Sequence, residues 1–505
     1  MNHSQHLAQA ADGAQVRLAH PAGIRPHWVL PFIMLAYGLC LALILPVGVG
    51  PDEPQHIGRV DQIARGGLLS SAVDASSLDA AYAPTANSAD KLYGGVVDRG
   101  LMTLAMDNMR VFHGTQDRTT FAELTTHGTQ DQYRYGATSE PFAFSNACVY
   151  SPFVYLPHLV GHLMGRLLFG NALGIIWCMR IASVLVVVAL ATLLVRQAPW
   201  GAWTLALIFC LPSVMGCASF VSADTMTTMV CVAFLASLAW MLTGDNRAST
   251  RRILIASTCV LGLVKVVYIL LLPLLALVLL DRRKKDPRTC RQLLIAAGVG
   301  AALFVLWFLL VGGINTGAMF KAEVSPDKQL AYVLQHPLRF CVTMVNTVVH
   351  ANVFQLGANS VISFHEKGEL TFTAFALLAA VLADLATGVP FPQGRQKLRR
   401  VIVVFVAMFV ALFGAIALSL YLQFTAVGAA TIEGVQTRYF APLLPLILYP
   451  LLLMLASGEE NEVGPNAGSV QAPLAAHARG TAAFAAVSLL CVALSNIFIL
   501  VQAVF

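Results

Sequence analysis

The sequence predicts an all-α polytopic membrane protein of about eleven transmembrane helices, with one large loop on the outer side of the membrane. Three observations carry that expectation: 57% of the 505 residues are hydrophobic, only 11% are charged, and the apolar residues gather in long runs. Soluble domains carry roughly 25% charged residues, so this chain lacks the polar side chains to cover a water-facing surface of its size. The same composition excludes a disordered chain and a small disulfide scaffold. A net charge of +6, spread over the whole length, does not imply nucleic acid.

A helix needs roughly 20 apolar residues to cross the hydrocarbon core. Such runs lie at about 28–46, 172–195, 200–218, 223–243, 291–313, 370–388, 400–424, 440–457 and 481–504, and two shorter ones, about 253–264 and 267–281, flank Lys265. The first run is too long for a cleaved signal peptide and is followed by no small-residue cleavage site, so it reads as an anchor. If residues 1–27 are cytoplasmic, alternate short loops on that side hold 17 Lys and Arg against six on the other, which orients the chain. Residues 28–457 then form one membrane module with outer loops at about 47–171, 314–369 and 425–439. Residues 458–480 read as a cytoplasmic linker and 481–505 as a last transmembrane helix. The expected location is a cytoplasmic (inner) membrane, with the lipid bilayer as the first partner.

The loop at 47–171 carries twelve of the 26 acids. It opens with PDEPQH, residues 51–56, just past the first span, and the apolar residues Ile57, Val60, Ile63 and Ala64 continue at helical spacing. Two carboxylates, Asp52 and Glu53, are thus held between Pro51 and Pro54 in a restricted backbone. A general base needs a fixed place within hydrogen-bond reach of a hydroxyl, and either carboxylate could supply it. The plain alternative is that Asp52 caps the helix and Glu53 is a favourable first-turn charge. Far along the chain, EGVQTRYFAP places Gln436, Arg438 and Tyr439 at an outer span border. There a guanidinium fork with neutral donors can grip a phosphate, or a snorkelling arginine can anchor the helix. Lys265, between two short runs, and Arg180, inside a span, are costly in hydrocarbon without an anionic partner or a path to water. Asp224, in SFVSADT, reads most simply as a helix cap.

Other chemistry finds no footing. There is no phosphate-binding glycine loop, no dinucleotide fingerprint and no HExxH, and His158 and His162, four apart, have no third ligand in reach of a sequence argument. A divalent cation is left open, without a metal motif to hold it. Most of the ten cysteines sit in apolar runs as small hydrophobes. Cys148 and Cys341 fall in outer segments, and a disulfide between them is left open.

The order of these motifs resembles a family of prokaryotic multi-span proteins known as domain of unknown function 2142, grouped with the GT-C membrane glycosyltransferases. The family's PDEP with a nearby histidine or aromatic, YxPxxYLP, leucine-proline with SxSxDA, lysine-tyrosine pair and VQGRYFxP correspond here to PDEPQH, YSPFVYLP, LPSVMGCASFVSADT, KVVY and VQTRYFAP, which span residues 51–442. Thr437 stands where the family usually has glycine. The resemblance implies a GT-C-like fold and a polyprenyl-phosphate-linked sugar as donor. It also implies a glycan, lipid or protein acceptor on the outer face and an acidic residue in the first outer loop as base. Carried onto this sequence, it adds His56 and Tyr268 to Arg180, Asp224, Lys265, Gln436, Arg438 and Tyr439 as substrate-binding candidates beside Asp52 and Glu53. Successive residues on a helix point about 100° apart, so both carboxylates cannot serve one atom, and Asp52 is the favoured base. Two rival expectations are a transporter or flippase for lipid-linked sugars and a non-catalytic envelope-assembly scaffold.

The orientation is open to a direct test. Single cysteines placed at exposed positions within 70–140 should react with a membrane-impermeant reagent in intact cells, and cysteines within 458–480 should not. The reverse pattern overturns the outer placement of PDEPQH.

Overall fold

The computed structural model describes residues 24–74, 76, 78, 92–115, 133–314, 324–350, 367–390, 394–459 and 471–504. Residues 1–23 of the N-terminal segment, 460–470 of the expected linker, and Asp79, Asp90, Asp117, Glu123, Asp131 and Lys321 lie outside them.

The first apolar run forms α1 (Pro26–Ile44), opened by a proline where no N–H partner is needed and left through Leu45 and Pro46. PDEPQH opens α2 (Glu53–Ala64). The loop then builds β1 (Ser71–Val73), β2 (Leu92–Asp98), α3 (Arg99–Thr115), β3 (Ser139–Ala143), α4 (Ser145–Cys148), a 3-10 turn at Pro152–Tyr155 and α5 (Leu156–Leu168). The strands form an antiparallel sheet in the order β1-β2-β3, with Gly94 paired to Ser71 on one side and Ala143 on the other. This sheet departs from the all-α expectation for the loop. Gly94 and Gly95 dilute the strand signal in sequence, yet a Cβ on Gly94 would lie 1.8 Å from the Phe142 carbonyl oxygen, so only glycine lets β3 approach.

Beyond α5 the described residues are mainly helical: α6 (Ala172–Gln197), α7 (Ala202–Cys210), α8 (Pro212–Ala218), α9 (Asp224–Leu242), α10 (Ala248–Val260), α11 (Leu275–Arg282) and α12 (Pro287–Val311). After these come α13 (Pro326–Gln335), α14 (Pro337–His350), α15 (Lys367–Thr387), α16 (Arg395–Phe424), α17 (Pro445–Glu459) and α18 (Gln471–Val504). Six stretches are long and apolar enough to cross a membrane: α1, α6, α9, α12, α16 and Arg479–Phe498 within α18. The turns at Thr437–Leu443 with α17 make a seventh if that pair, bent by 50°, is one span. By length and composition, then, the described residues give six or seven crossings where the sequence suggested eleven. The others are short or broken: Pro212 divides α7 from α8, and residues 261–274 run through two 3-10 stretches separated at Lys265.

The helix α9 is the hub, buried along nearly its whole length. It packs on α6, α8, α10, α11, α17 and the 3-10 turns at Pro152–Tyr155 and Ala441–Leu443. Antiparallel to each other, α1 and α6 pair so that Gly38 faces Val184 and the end of α1 faces Arg180. All ten cysteines are free; Cys148 is buried and Cys341 exposed, so the two form no disulfide.

Candidate functional site

Between α1 and α2 the backbone turns sharply, and two features of that turn set the site. Gly48 adopts φ +87° and a Cβ there would meet the Ala105 carbonyl oxygen at 2.1 Å, so the position admits only glycine. Asp52 has φ 58° and is the only non-glycine residue with positive φ among the described residues. Aspartate tolerates this left-handed conformation better than most residues, at a strain on the order of 1 kcal/mol.

Asp52 and Glu53, adjacent in sequence, go to different places. The Glu53 carboxylate is fully buried: Oε1 accepts from Arg180 Nε at 2.8 Å and from the Val221 N–H at 3.2 Å. Its Oε2 accepts from Arg180 Nη2 at 2.6 Å and from the N–H groups of Gly48 at 2.9 Å and Gly50 at 3.4 Å. Arg180 gives its remaining N–H groups to the carbonyls of Ala42 at 3.1 Å, Leu45 at 2.7 Å and Pro46 at 3.0 Å. A guanidinium has five N–H donors, and here every one is used inside the protein. Glu53 and Arg180, both candidates from the sequence, are therefore spent on internal contacts and tie the end of α1 to α2, α6 and the 219–223 turn.

Asp52 faces the other way, into a cavity of about 470 Å³. Its side chain is 37% exposed and accepts from Arg438 Nη2 at 2.8 Å, while the Arg438 side chain is only 2% exposed. Arg438 also donates to the Pro51 carbonyl at 3.1 Å and the Tyr439 hydroxyl at 3.2 Å, and its Nη1 lies 3.4 Å from Asp224. Lys265 pairs with Asp224 at 2.5 Å and stands 5.2 and 5.1 Å from the Tyr150 and Tyr439 ring centres. The plain capping role expected of Asp224 gives way to this bridging of two cations: Asp224 opens α9 with its N–H on Ser222 Oγ and its carboxylate toward Lys265 and Arg438. The Tyr268 hydroxyl donates to the Tyr439 carbonyl at 2.7 Å, which locks the two 3-10 segments together.

Opposite these charges the cavity wall is apolar, with Phe308 and Val311 from α12, Ile314 beyond it, and Ile416, Leu420 and Phe424 from α16. The site is amphipathic: one wall holds two carboxylates and two cations, and the other is hydrocarbon. Of the sequence candidates, Asp52, His56, Lys265, Tyr268, Arg438 and Tyr439 line it, and Asp224 lies directly behind. Gln436 does not line it; its Oε1 is buried without a hydrogen-bond partner. Asn146 and Tyr150 also line the cavity and were not singled out from sequence. Tyr150 opens YSPFVYLP, so the signal was present in a segment noted for its match to the family pattern.

His56 is held by the Tyr155 hydroxyl, 2.6 Å from its Nδ1, and by stacking on Tyr150 with ring centres 5.8 Å apart. Burial pushes its pKa down to about 3, so the ring is neutral at physiological pH and supplies no positive charge to the cavity. Below it, Asp61 accepts from His162 at 2.9 Å, Tyr135 at 3.1 Å, Arg65 at 2.7 Å and the Asp98 N–H at 2.8 Å. Burial alone would raise the Asp61 pKa, but the His162 hydrogen bond, the His162 and Arg65 charges and the Asp98 N–H outweigh it and hold it low. This network clamps α2 to α5 and the sheet, so the helix that presents Asp52 is fixed at both ends. Among the described residues no group of three or more His, Cys, Asp or Glu side chains is placed to hold a metal ion.

Residues 35–447 match the family model described as predicted membrane protein (DUF2142). The chain belongs to this family. No curated protein and no solved structure matches it. The DUF2142 match covers the whole cavity, from the end of α1 through Arg438 and Tyr439.

The Glu53–Arg180 lock yields a stability test for this DUF2142 chain. Arg180→Met leaves a buried carboxylate without its partner and should destabilise the protein by about 3–5 kcal/mol, read as a lower unfolding midpoint in detergent. Adding Glu53→Gln should recover part of that loss. Equal midpoints for wild type and Arg180→Met would refute the lock.

Proposed function

We propose that the protein is a membrane glycosyltransferase that moves a sugar from a polyprenyl-phosphate donor to an acceptor hydroxyl on an envelope glycan, lipid or protein, at the outer face of the cytoplasmic membrane. The single observation that carries this reading is the amphipathic cavity. A half-exposed, rigidly placed carboxylate, the buried Arg438 and the partly buried Lys265 stand on one wall, and an apolar surface offered by two long apolar helices forms the other. A lipid-linked phosphate has that same division, an anionic head on an apolar chain. The resemblance of the sequence motifs to GT-C enzymes supports the reading from a separate direction.

In this reaction Asp52 accepts the proton of the acceptor hydroxyl, the acceptor oxygen bonds to the anomeric carbon on the face opposite the leaving group, and the carbon–oxygen bond to phosphate breaks with its electron pair going to the phosphate. Inversion follows from the single displacement, through an oxocarbenium-like state. Arg438 and Lys265 stabilise the departing phosphate, as fixed charges in a water-poor site do. Asp224 holds both cations in place, and Tyr150 and Tyr439 confine the Lys265 ammonium between their rings. Arg438 is engaged by Asp52. An incoming phosphate competes for that guanidinium fork, and the exchange leaves the carboxylate free to take a proton. Glu53 and Arg180 act as positioning residues.

Asp52→Asn keeps the size and the left-handed tolerance of the residue and removes the proton acceptor. Turnover should fall roughly 100-fold or more, with the unfolding midpoint unchanged, and a deletion strain carrying this variant should show the envelope polysaccharide composition of the deletion itself. Asp52→Gly, which relieves the backbone strain, should be equally inactive and at least as stable. Wild-type composition restored by Asp52→Asn would remove Asp52 from the chemistry.

Arg438→Lys separates charge from geometry. Lysine keeps the charge and loses the two-point fork, so activity should drop roughly as far as in Arg438→Ala, on the order of 100-fold. Full rescue by lysine would mean that the site needs only positive potential, and unchanged binding of a polyprenyl-phosphate analogue to Arg438→Ala would reduce Arg438 to an interfacial anchor.

A further inference from the structure

At the end of the bundle away from the first loop, a second cavity of about 140 Å³ lies where the start of α1, the ends of α6 and α15, and the starts of α7 and α18 converge. Three arginines line it, Arg25, Arg196 and Arg479, over a floor that includes Trp200 and Trp203. All three arginines are exposed and both tryptophans buried. Among the described residues none of the three forms an ion pair with a carboxylate. Asp384 also lines the cavity, but its two oxygens accept the Trp203 N–H at 3.0 Å and the Thr204 N–H at 2.8 Å. It caps the start of α7 and pairs with none of the guanidiniums, so three cations share the cavity with one carboxylate, and Arg25 also lies 5.6 Å from the Trp28 ring centre.

We infer that this cavity is a binding site for a phosphate-bearing anion. Three positive charges around a small concave space repel one another and raise the local potential, a cost that the binding of an anion relieves. Guanidinium forks match phosphate oxygens in a way lysines do not. The five elements that meet here place the cavity at the border of the apolar bundle, where a phospholipid of the adjoining leaflet presents its phosphate; a soluble phosphate carries the same chemistry. The site shares no residue with the Asp52 cavity and stands or falls without the glycosyltransferase reading. Its occupant would bridge the start of α1 to the end of α6, at the opposite ends of the two helices that the Glu53–Arg180 lock already joins.

The test uses the full-length protein, reconstituted in nanodiscs of phosphatidylcholine with an equimolar share of phosphatidylglycerol and then released into detergent, with bound lipid counted by mass spectrometry. The wild type should retain phosphatidylglycerol over phosphatidylcholine. A triple variant, Arg25→Gln with Arg196→Gln and Arg479→Gln, should lose that retention by about 10-fold or more. The melting temperature of the same detergent sample with inorganic phosphate supplies the second arm. Stabilisation of the wild type and not of the triple variant supports the site with a soluble anion as its occupant. Retention of phosphatidylglycerol without stabilisation by phosphate supports it with a lipid. The arginines are exposed, so the triple variant should melt with the wild type in the absence of anions; if it misfolds, Arg479→Gln alone should show a graded loss. Equal lipid retention and equal phosphate response in wild type and variants overturns the proposal. So does anion binding that emerges only after Glu460→Gln and Glu462→Gln, because the arginines would then serve this chain's own acids.

Discussion

One buried ion pair decides how the first loop meets the helical bundle. Arg180 sits inside an apolar helix, where an unpaired guanidinium is not tolerated, and the end of α1 presents carbonyls that no longer have helical partners. Each defect resolves the other: Arg180 satisfies Ala42, Leu45 and Pro46 while Glu53 neutralises it and gathers the N–H groups of Gly48, Gly50 and Val221. Such a pair adds little stability over a well-packed apolar replacement, but it tolerates only one geometry. With Glu53 fixed beneath, the preceding residue is driven into the left-handed region and its side chain is turned outward. The rigid presentation of Asp52 is a consequence of a contact that Asp52 does not make.

The charges of the cavity follow the same logic of mutual compensation. Asp52 and Asp224 face Lys265 and Arg438, so the formal charges of the cluster balance. Both cations lie against the ring of Tyr439, and Lys265 against Tyr150 as well, which restrains them where water is scarce. A pre-formed cluster of this kind avoids reorganisation when charge develops nearby. Asp224 stands behind both cations, so their positions do not depend on Asp52 alone. His56, neutral because it is buried, adds a hydrogen-bonding group and no charge.

Much of this was legible in the sequence, and the parts that were not share a cause. Composition and apolar runs indicate the membrane class, and PDEPQH, KVVY and VQTRYFAP hold Asp52, His56, Lys265, Tyr268, Arg438 and Tyr439, which the fold brings to one cavity. What one sequence cannot supply is the partner. Nothing local distinguishes Asp52 from Glu53 except a helical phase difference, and the choice is made by Arg180, 127 residues away. Arg180 itself reads as an isolated charge in a span and becomes a structural tie only once the end of α1 lies beside it. Asp224 was read as a cap for the same reason, since its two cationic partners come from other parts of the chain. Asn146 and Tyr150 carry no charge to draw notice. The sheet escaped because the close approach that requires glycine at 94 is also what removes the strand signature.

The shortfall in uninterrupted spans is part of the same design. A backbone that leaves the α-helix at membrane depth has unpaired polar groups, and it persists only where protein or a cavity satisfies them. The two interruptions nearest the site are Leu261–Leu274 and Thr437–Leu443. The first carries Lys265 and Tyr268 and the second carries Arg438 and Tyr439, and a hydrogen bond from Tyr268 to the Tyr439 carbonyl joins them. In an unbroken helix the side chains of Lys265 and Arg438 would be spaced by helical periodicity along apolar faces, with no means of converging on Asp224. Giving up regular helix in both segments lets the two cations meet one carboxylate, and the tyrosine bond supplies a partner to a carbonyl that the irregular backbone releases. In these two segments, then, helical regularity is given up where the cations converge, while the break at Pro212 lies outside the cavity they line.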